Sequence, residues 1–185
     1  VSFSGCIYAR RFDMIIILQE NELSGSMGGI HMSLRFEVRR TFQVPQEKAY
    51  ASLLDLDAAK HWMQGLVRIE RLEEGPMREG SMWIETRKMY GKEATEQFEV
   101  VQLKEPEQIV LRCDGTKGTT GKGEYIFTYT ITPKGESSEV TLHGQIKGLT
   151  GLAKLFGKLM TGAFRNACAK DLDALKNYLE NYSRL

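Results

Sequence analysis

Few side chains in this sequence are placed to do chemistry unaided. His61 stands beside Trp62, and an imidazole is the side-chain type best suited to act as a base or a ligand contact near neutral pH. His31 and His143 are remote from it, no pair has metal-ligand spacing, and no metal site is expected. Arg40 interrupts an otherwise regular alternation by sitting on the apolar parity, where a guanidinium must be paired or reach solvent. Its candidate partners are an anionic ligand head group or a carboxylate such as Glu85, Glu96 or Glu99. The run Gly115-Thr-Lys-Gly-Thr-Thr-Gly-Lys-Gly123 superficially resembles a phosphate loop. It has Thr at 116 where glycine is needed and runs into a strand, so it reads as a hairpin connection. The chain contains no G-x-S-x-G elbow, no H-E-x-x-H and no carboxylate pair at a diagnostic spacing. No catalytic residue is therefore assigned and no cofactor is expected.

The bulk numbers exclude further classes. A formal charge of +1 supplies no drive toward nucleic acid, which selects a basic footprint. Cys6, Cys113 and Cys168 are odd in number, widely spaced and free of any C-x-x-C pair. They read as buried thiols in a cytoplasmic protein rather than a disulfide framework or a zinc site. With 185 residues, 42% of them hydrophobic, one domain with a substantial core is expected. Residues 1–32 stand apart. Met14–Leu18 is too short to span a bilayer, and Ser24–Gly29 is linker chemistry. They read as a loosely ordered extension, with the folded domain spanning 33–185.

From Leu34 onward the punctuation is clear. Leu34, Phe36, Val38, Phe42 and Val44 alternate with polar residues, as in a half-buried strand. Pro45 opens a helix over 46–54 with Ala49, Tyr50 and Leu53 facing inward, and a second short helix follows over 57–63, capped by Asp57. Six strands are then expected near 67–72, 82–90, 94–103, 108–113, 125–131 and 140–146, with a bulge at Val100-Val101. All four prolines are placed between elements. Residues 149–182 close the chain as one long amphipathic helix whose apolar stripe runs from Leu149 to Tyr182. A stripe that long needs a large partner, and a curved antiparallel sheet is the only candidate upstream.

Between such a sheet and helix there is room for a ligand. Trp62, Trp83 and Phe98 supply candidate aromatic lining, and Tyr125, Phe127 and Tyr129 share one strand face. Phe156, Met160 and Phe164 face them from the helix. Arg40 and His61 are the candidate polar contacts. On the opposite helical stripe, Lys147, Lys154, Lys158 and Arg165 occur in a stretch without Asp or Glu, together with Gly148, Gly151, Gly157 and Gly162. That pattern suits either a solvated face or transient contact with an anionic membrane surface.

Residues 33–183 resemble the START-like (SRPBCC) superfamily, most closely its polyketide cyclase/dehydrase-like and lipid-transport branch. The stretches that carry the resemblance are Phe42–Tyr50, His61-Trp62, Glu73–Pro76 with Gly80–Trp83, Gly91–Ala94, Phe98–Pro106 and Leu172–Glu180. The resemblance implies an α+β helix-grip fold: a seven-stranded curved antiparallel sheet around a C-terminal helix, two short helices after the first strand, and an apolar tunnel. Relatives share the cavity and differ in its use, so function does not follow from fold. The leading expectation is binding or transport of a hydrophobic small molecule, such as a lipid, isoprenoid or polyketide-like compound, without catalysis. The alternatives are a cyclase, dehydratase or hydrolase using pocket acid/base residues, and a protein-interaction module. Oligomeric state is left open.

Overall fold

The computed structural model describes residues 33–89, 91–148 and 157–182. The expected extension over 1–32 and the first part of the expected helix, 149–156, lie outside the described residues. Among the described residues, seven strands, two helices and a 3-10 turn position the site. Strand β1 (Leu34–Phe42) leads through Pro45 into α1 (Gln46–Leu54), and a 3-10 turn (Ala59–His61) precedes β2 (Leu66–Arg71). Then come β3 (Met82–Met89), β4 (Lys92–Lys104), β5 (Gln108–Asp114), β6 (Glu124–Lys134), β7 (Ser137–Lys147) and the helix α2 (Gly157–Tyr182). The strands form a single seven-stranded sheet in the order β1-β7-β6-β5-β4-β3-β2, with every neighbouring pair antiparallel.

Period-two alternation sorts each strand into an inner and an outer face. On β1, Phe36, Val38 and Phe42 are buried while Arg35, Glu37 and Arg39 are exposed. Register links the inner residues into rows across the sheet. One row runs Trp83, Phe98, Cys113, Tyr125, Ile146, Leu34, and the next runs Val100, Leu111, Phe127, Gly144, Phe36. Gly144 is required in its row: a Cβ there would lie 2.1 Å from Cζ of Phe36, so β7 gives up a side chain to seat the ring of β1. The register slips between Val100 and Gln102, as the paired valines predict. That bulge leaves Val101 exposed and turns Leu103 back toward the inner face, opposite Ile109.

The helix α2 packs across this inner face. Leu172, Leu175 and Leu179 are buried at helical spacing, each burial contributing about 1.5–3 kcal/mol. At one end α1 closes the core with Ala49, Tyr50 and Leu53, and Gln46 Nε2 donates to the carbonyl of Ile131 at 2.7 Å.

The second expected short helix is present as a 3-10 turn shorter than 57–63, with Leu56, Ala59 and Trp62 buried at a spacing of three, the 3-10 period. Two expectations need correction. Asp57 does not cap that turn: the turn has no side-chain cap, and the carboxylate that accepts from the amide of Ala58, at 3.0 Å, is Asp55. Pro133 lies within β6 opposite Ser138, not between elements. One missing donor beside the hairpin tip is tolerated where a central position would not allow it. No helix among the described residues is long and apolar enough to cross a membrane.

Candidate functional site

The inner face carries a chain of aromatic rings. Trp83 on β3 stacks on Phe98 of β4 with centroids 5.3 Å apart and planes within 9°, and Phe98 meets Phe127 of β6 at 6.2 Å. Tyr125 stacks on Phe164 of α2 at 5.3 Å, bridging sheet and helix. These rings are not uniformly packed. Phe98 lies in register between Trp83 and Cys113, both nearly fully buried, and Tyr129 lies between Ile109 and Leu142, which are 0% and 1% exposed. Yet Phe98, Phe127, Tyr129 and Phe164 are only half-buried, in the middle of a face covered by a helix. Trp83 is 3% exposed, and its indole Nε1 has no hydrogen-bond partner among the described residues. Unpaired buried donors are uncommon in native proteins. Nε1 of Trp62 is in the same condition.

Beside the rings the same face is polar. Glu85 and Arg87 follow Trp83 on the inner parity of β3, and Glu96 stands directly opposite Glu85 on β4. The Arg87 guanidinium is shared by two carboxylates, Glu85 through Nε and Asp171 of α2 through Nη1. Asp171 also accepts from the amide of Gln64 at 2.9 Å, which ties the segment after the 3-10 turn to the helix. Glu96 Oε1 accepts from the Thr120 amide at 2.9 Å and the Thr120 hydroxyl at 2.6 Å.

These carboxylates and the burial around them set the state of their neighbours. Burial, reinforced by Asp171, pushes the Cys168 thiol up to about 12, and burial with Glu96 does the same to Cys113. Burial likewise raises the hydroxyls of Tyr129 and Tyr125, so both are held as neutral donors.

The expected polar contacts lie elsewhere. Arg40 makes a bidentate pair with Asp173 of α2, Nε to Oδ1 at 2.5 Å and Nη2 to Oδ2 at 3.0 Å. The partner is thus a helix residue rather than any of the strand glutamates considered from sequence. The pair holds the Asp173 carboxyl below its ordinary range. His61 is exposed and stacks on Tyr178 of α2, centroids 5.7 Å apart and planes within 2°, while Trp62 behind it is buried in the core. Phe156, Lys154 and the side chains of Met160 and Lys158 lie outside the described residues.

Of the basic stripe, Lys147 lies 3.5 Å from Glu124, and Arg165 donates to the carbonyl of Glu37 at 3.4 Å. The glycine-rich segment forms a 3-10 turn (Gly115–Lys117) capped by Asp114, whose carboxylate accepts from the Thr116 amide and hydroxyl. A carboxylate at that turn and a strand after it are unsuited to phosphate.

Sequence reading passed over Arg87, Asp171 and Cys168 as site residues, and it took Glu85 and Glu96 only as partners for Arg40. Arg87 was within reach, since it continues the parity of Trp83 and Glu85. Asp171 flanks Leu172 on a stripe dominated by leucines, and nothing local marks it.

Similarity to known proteins agrees with this geometry. Among solved structures, the chain superposes on TTHA0849 from Thermus thermophilus with a TM-score of 0.65 at 17% identity, covering 81% of this chain and 99% of that one. The di-domain ARO/CYC StfQ of the steffimycin biosynthetic pathway gives a TM-score of 0.69 at 14% identity, over 83% of this chain and 53% of StfQ. A norcoclaurine synthase from Thalictrum flavum, solved with a transition-state analogue, gives 0.65 at 14% identity, over 84% and 99%. No curated protein matches the chain in sequence. At such identities the structures establish the fold alone, but the sequence profile described as "Polyketide cyclase / dehydrase and lipid transport" matches residues 33–180. With a helix gripped by a seven-stranded sheet and an aromatic face between them, the chain belongs to that START-like family.

Proposed function

We propose that the protein binds and carries a hydrophobic small molecule between the inner face of the sheet and α2. The observation that supports this reading best is the accessible surface left on Phe98, Phe127, Tyr129 and Phe164. Rings flanked in register by fully buried residues keep such surface where the space between sheet and helix is not closed over them. Protein cores are otherwise close-packed. An incompletely filled aromatic interior with a few convergent polar groups is the form of a small-molecule site.

The test uses the neutral fluorophore N-phenyl-1-naphthylamine, whose emission rises in apolar surroundings. Saturable binding in the micromolar range is expected, with a change in tryptophan emission from Trp83. Phe164→Trp, which fills the space next to Tyr125, should weaken binding by about 1–3 kcal/mol. Absence of probe binding by a folded protein would remove the carrier reading and favour an interaction module.

A catalytic reading draws on one observation. The Tyr129 hydroxyl, Glu85, Arg87 and Asp171 converge on the same face, and convergent polar groups in a cleft mark many active sites. On that reading Tyr129, held protonated by burial, donates a hydrogen bond to a substrate oxygen. Turnover of a bound polyketide-like substrate that is lost in Tyr129→Phe, with binding retained, would select it over carriage.

A further inference from the structure

Which hydrophobic molecules the interior accepts is a matter of its charge. Glu85 and Glu96 face each other across β3 and β4, and Trp83 and Phe98 form the next inward pair of the same two strands. Four adjacent side chains thus make a patch that is half carboxylate and half stacked aromatic. Among the described residues of this region, Glu85, Glu96 and Asp171 are balanced only by Arg87. Arg87 already shares its single charge between two carboxylates, Glu85 through Nε and Asp171 through Nη1. Glu96 accepts from Thr120 through Oε1, and its Oε2 accepts only the weak, long hydrogen bond of the Cys113 thiol, at 4.0 Å. A second, independent feature points to an absent group: the Trp83 indole, 3% exposed in the same patch, has a donor without an acceptor.

We propose that this patch selects a cationic amphiphile, an aromatic or apolar amine whose ammonium rests on Glu85 and Glu96 and whose oxygen accepts from Trp83 Nε1. The inference rests on the carrier reading above and narrows it. Carboxylates in a partly desolvated site attract an ammonium far more strongly than they would in water. The stacked rings of Trp83 and Phe98 add cation–π attraction for the same charge. A fatty-acid or enolate head group would instead meet uncompensated like charge.

The experiment displaces N-phenyl-1-naphthylamine with three ligands of one ring system: 1-naphthylmethylamine, 1-naphthalenemethanol and 1-naphthaleneacetic acid. The amine is expected to displace the reporter at a concentration about tenfold or more below that of the acid, a difference of about 1.4 kcal/mol. Glu96→Gln, which can still accept from Thr120, should narrow that gap once each displacement is referred to the reporter affinity measured for the same variant. Trp83→Phe should weaken the alcohol and trim, without abolishing, the amine's advantage over the acid, since Phe keeps part of the cation–π attraction. Equal or better binding of the acid, or an amine preference untouched by both Glu96→Gln and Glu85→Gln, overturns the proposal while the carrier reading stands. Failure of the neutral reporter itself to bind overturns both.

Discussion

Arg87 and Arg40 both lie on the inner parity of their strands and both meet an aspartate of α2, yet their removal should have different consequences. Arg40 and Asp173 are 33% and 51% exposed in their side chains, and a pair so solvated contributes about 0–1 kcal/mol. Glu85, by contrast, is 4% exposed and Arg87 and Asp171 are mostly covered. Arg87→Met would leave buried carboxylates uncompensated, which costs about 3–5 kcal/mol. Urea unfolding midpoints should therefore fall sharply for Arg87→Met and barely for Arg40→Met.

The two described thiols make a further prediction at this scale. Cys113 and Cys168 have their pKa raised from an ordinary 9.0 to about 12, so the native state retains protons that the unfolded chain releases. Their contribution to stability is complete below pH 9 and declines as pH rises from there toward 12. Cys168→Ala should flatten that alkaline loss, and Cys113, which is 4% exposed, should react with Ellman's reagent at mildly alkaline pH only on unfolding. Prompt native-state labelling of Cys113 would contradict its burial.

The two elements most sensitive to side-chain volume are β7 and α2. Gly144 is the point where β7 lets Phe36 of β1 lie flat against it, and the ring is itself 8% exposed with no room to retreat. Gly144→Ala should therefore destabilise by about 1–3 kcal/mol, an overpacking cost in spite of alanine's lower backbone entropy in a strand. Phe36→Leu should relieve the clash, so the double variant is expected to be more stable than the sum of the two singles. On α2, Leu175 is 0% exposed between the two other buried leucines. Leu175→Ala should cost about 2–5 kcal/mol, with denaturation midpoints as the readout. A loss well under that range would mean that Leu175 is not close-packed between sheet and helix.

Considered whole, the molecule is a sheet folded around a helix with its polar centre displaced to the β3–β4 side. The Glu85–Arg87–Asp171 knot joins sheet, helix and the segment after the 3-10 turn at one place. A ligand held between sheet and helix binds the native state only, so it must raise the unfolding temperature. Free ligand at one hundred times its dissociation constant should add about 2.7 kcal/mol. Thermal scans with 1-naphthylmethylamine should show a rise that grows with the logarithm of concentration. If the knot couples helix and sheet at the site, hydrogen exchange in Gln64–Leu66 and around Asp171 should slow on the same titration.

The sequence by itself determined the element order, the inward residues of β1, the shared face of Tyr125, Phe127 and Tyr129 on β6, the bulge at Val100 and the leucine stripe of α2. Each of these is local: side-chain period, proline and glycine punctuation and helical spacing are properties of neighbours in the chain. It did not determine the register shift of β2 that leaves Val67 exposed. It also led to the family, because those same local stretches carry the resemblance. The tertiary structure decided the partners. Nothing in the sequence around Arg40 or Arg87 announces that Asp173 and Asp171 will meet them, since both come from the far end of the chain. The patch of Trp83, Phe98, Glu85 and Glu96 likewise exists only through the register of β3 on β4. Period two places each residue on a face, but only pairing sets which residues on that face touch. The chemistry of this interior is made by such pairs.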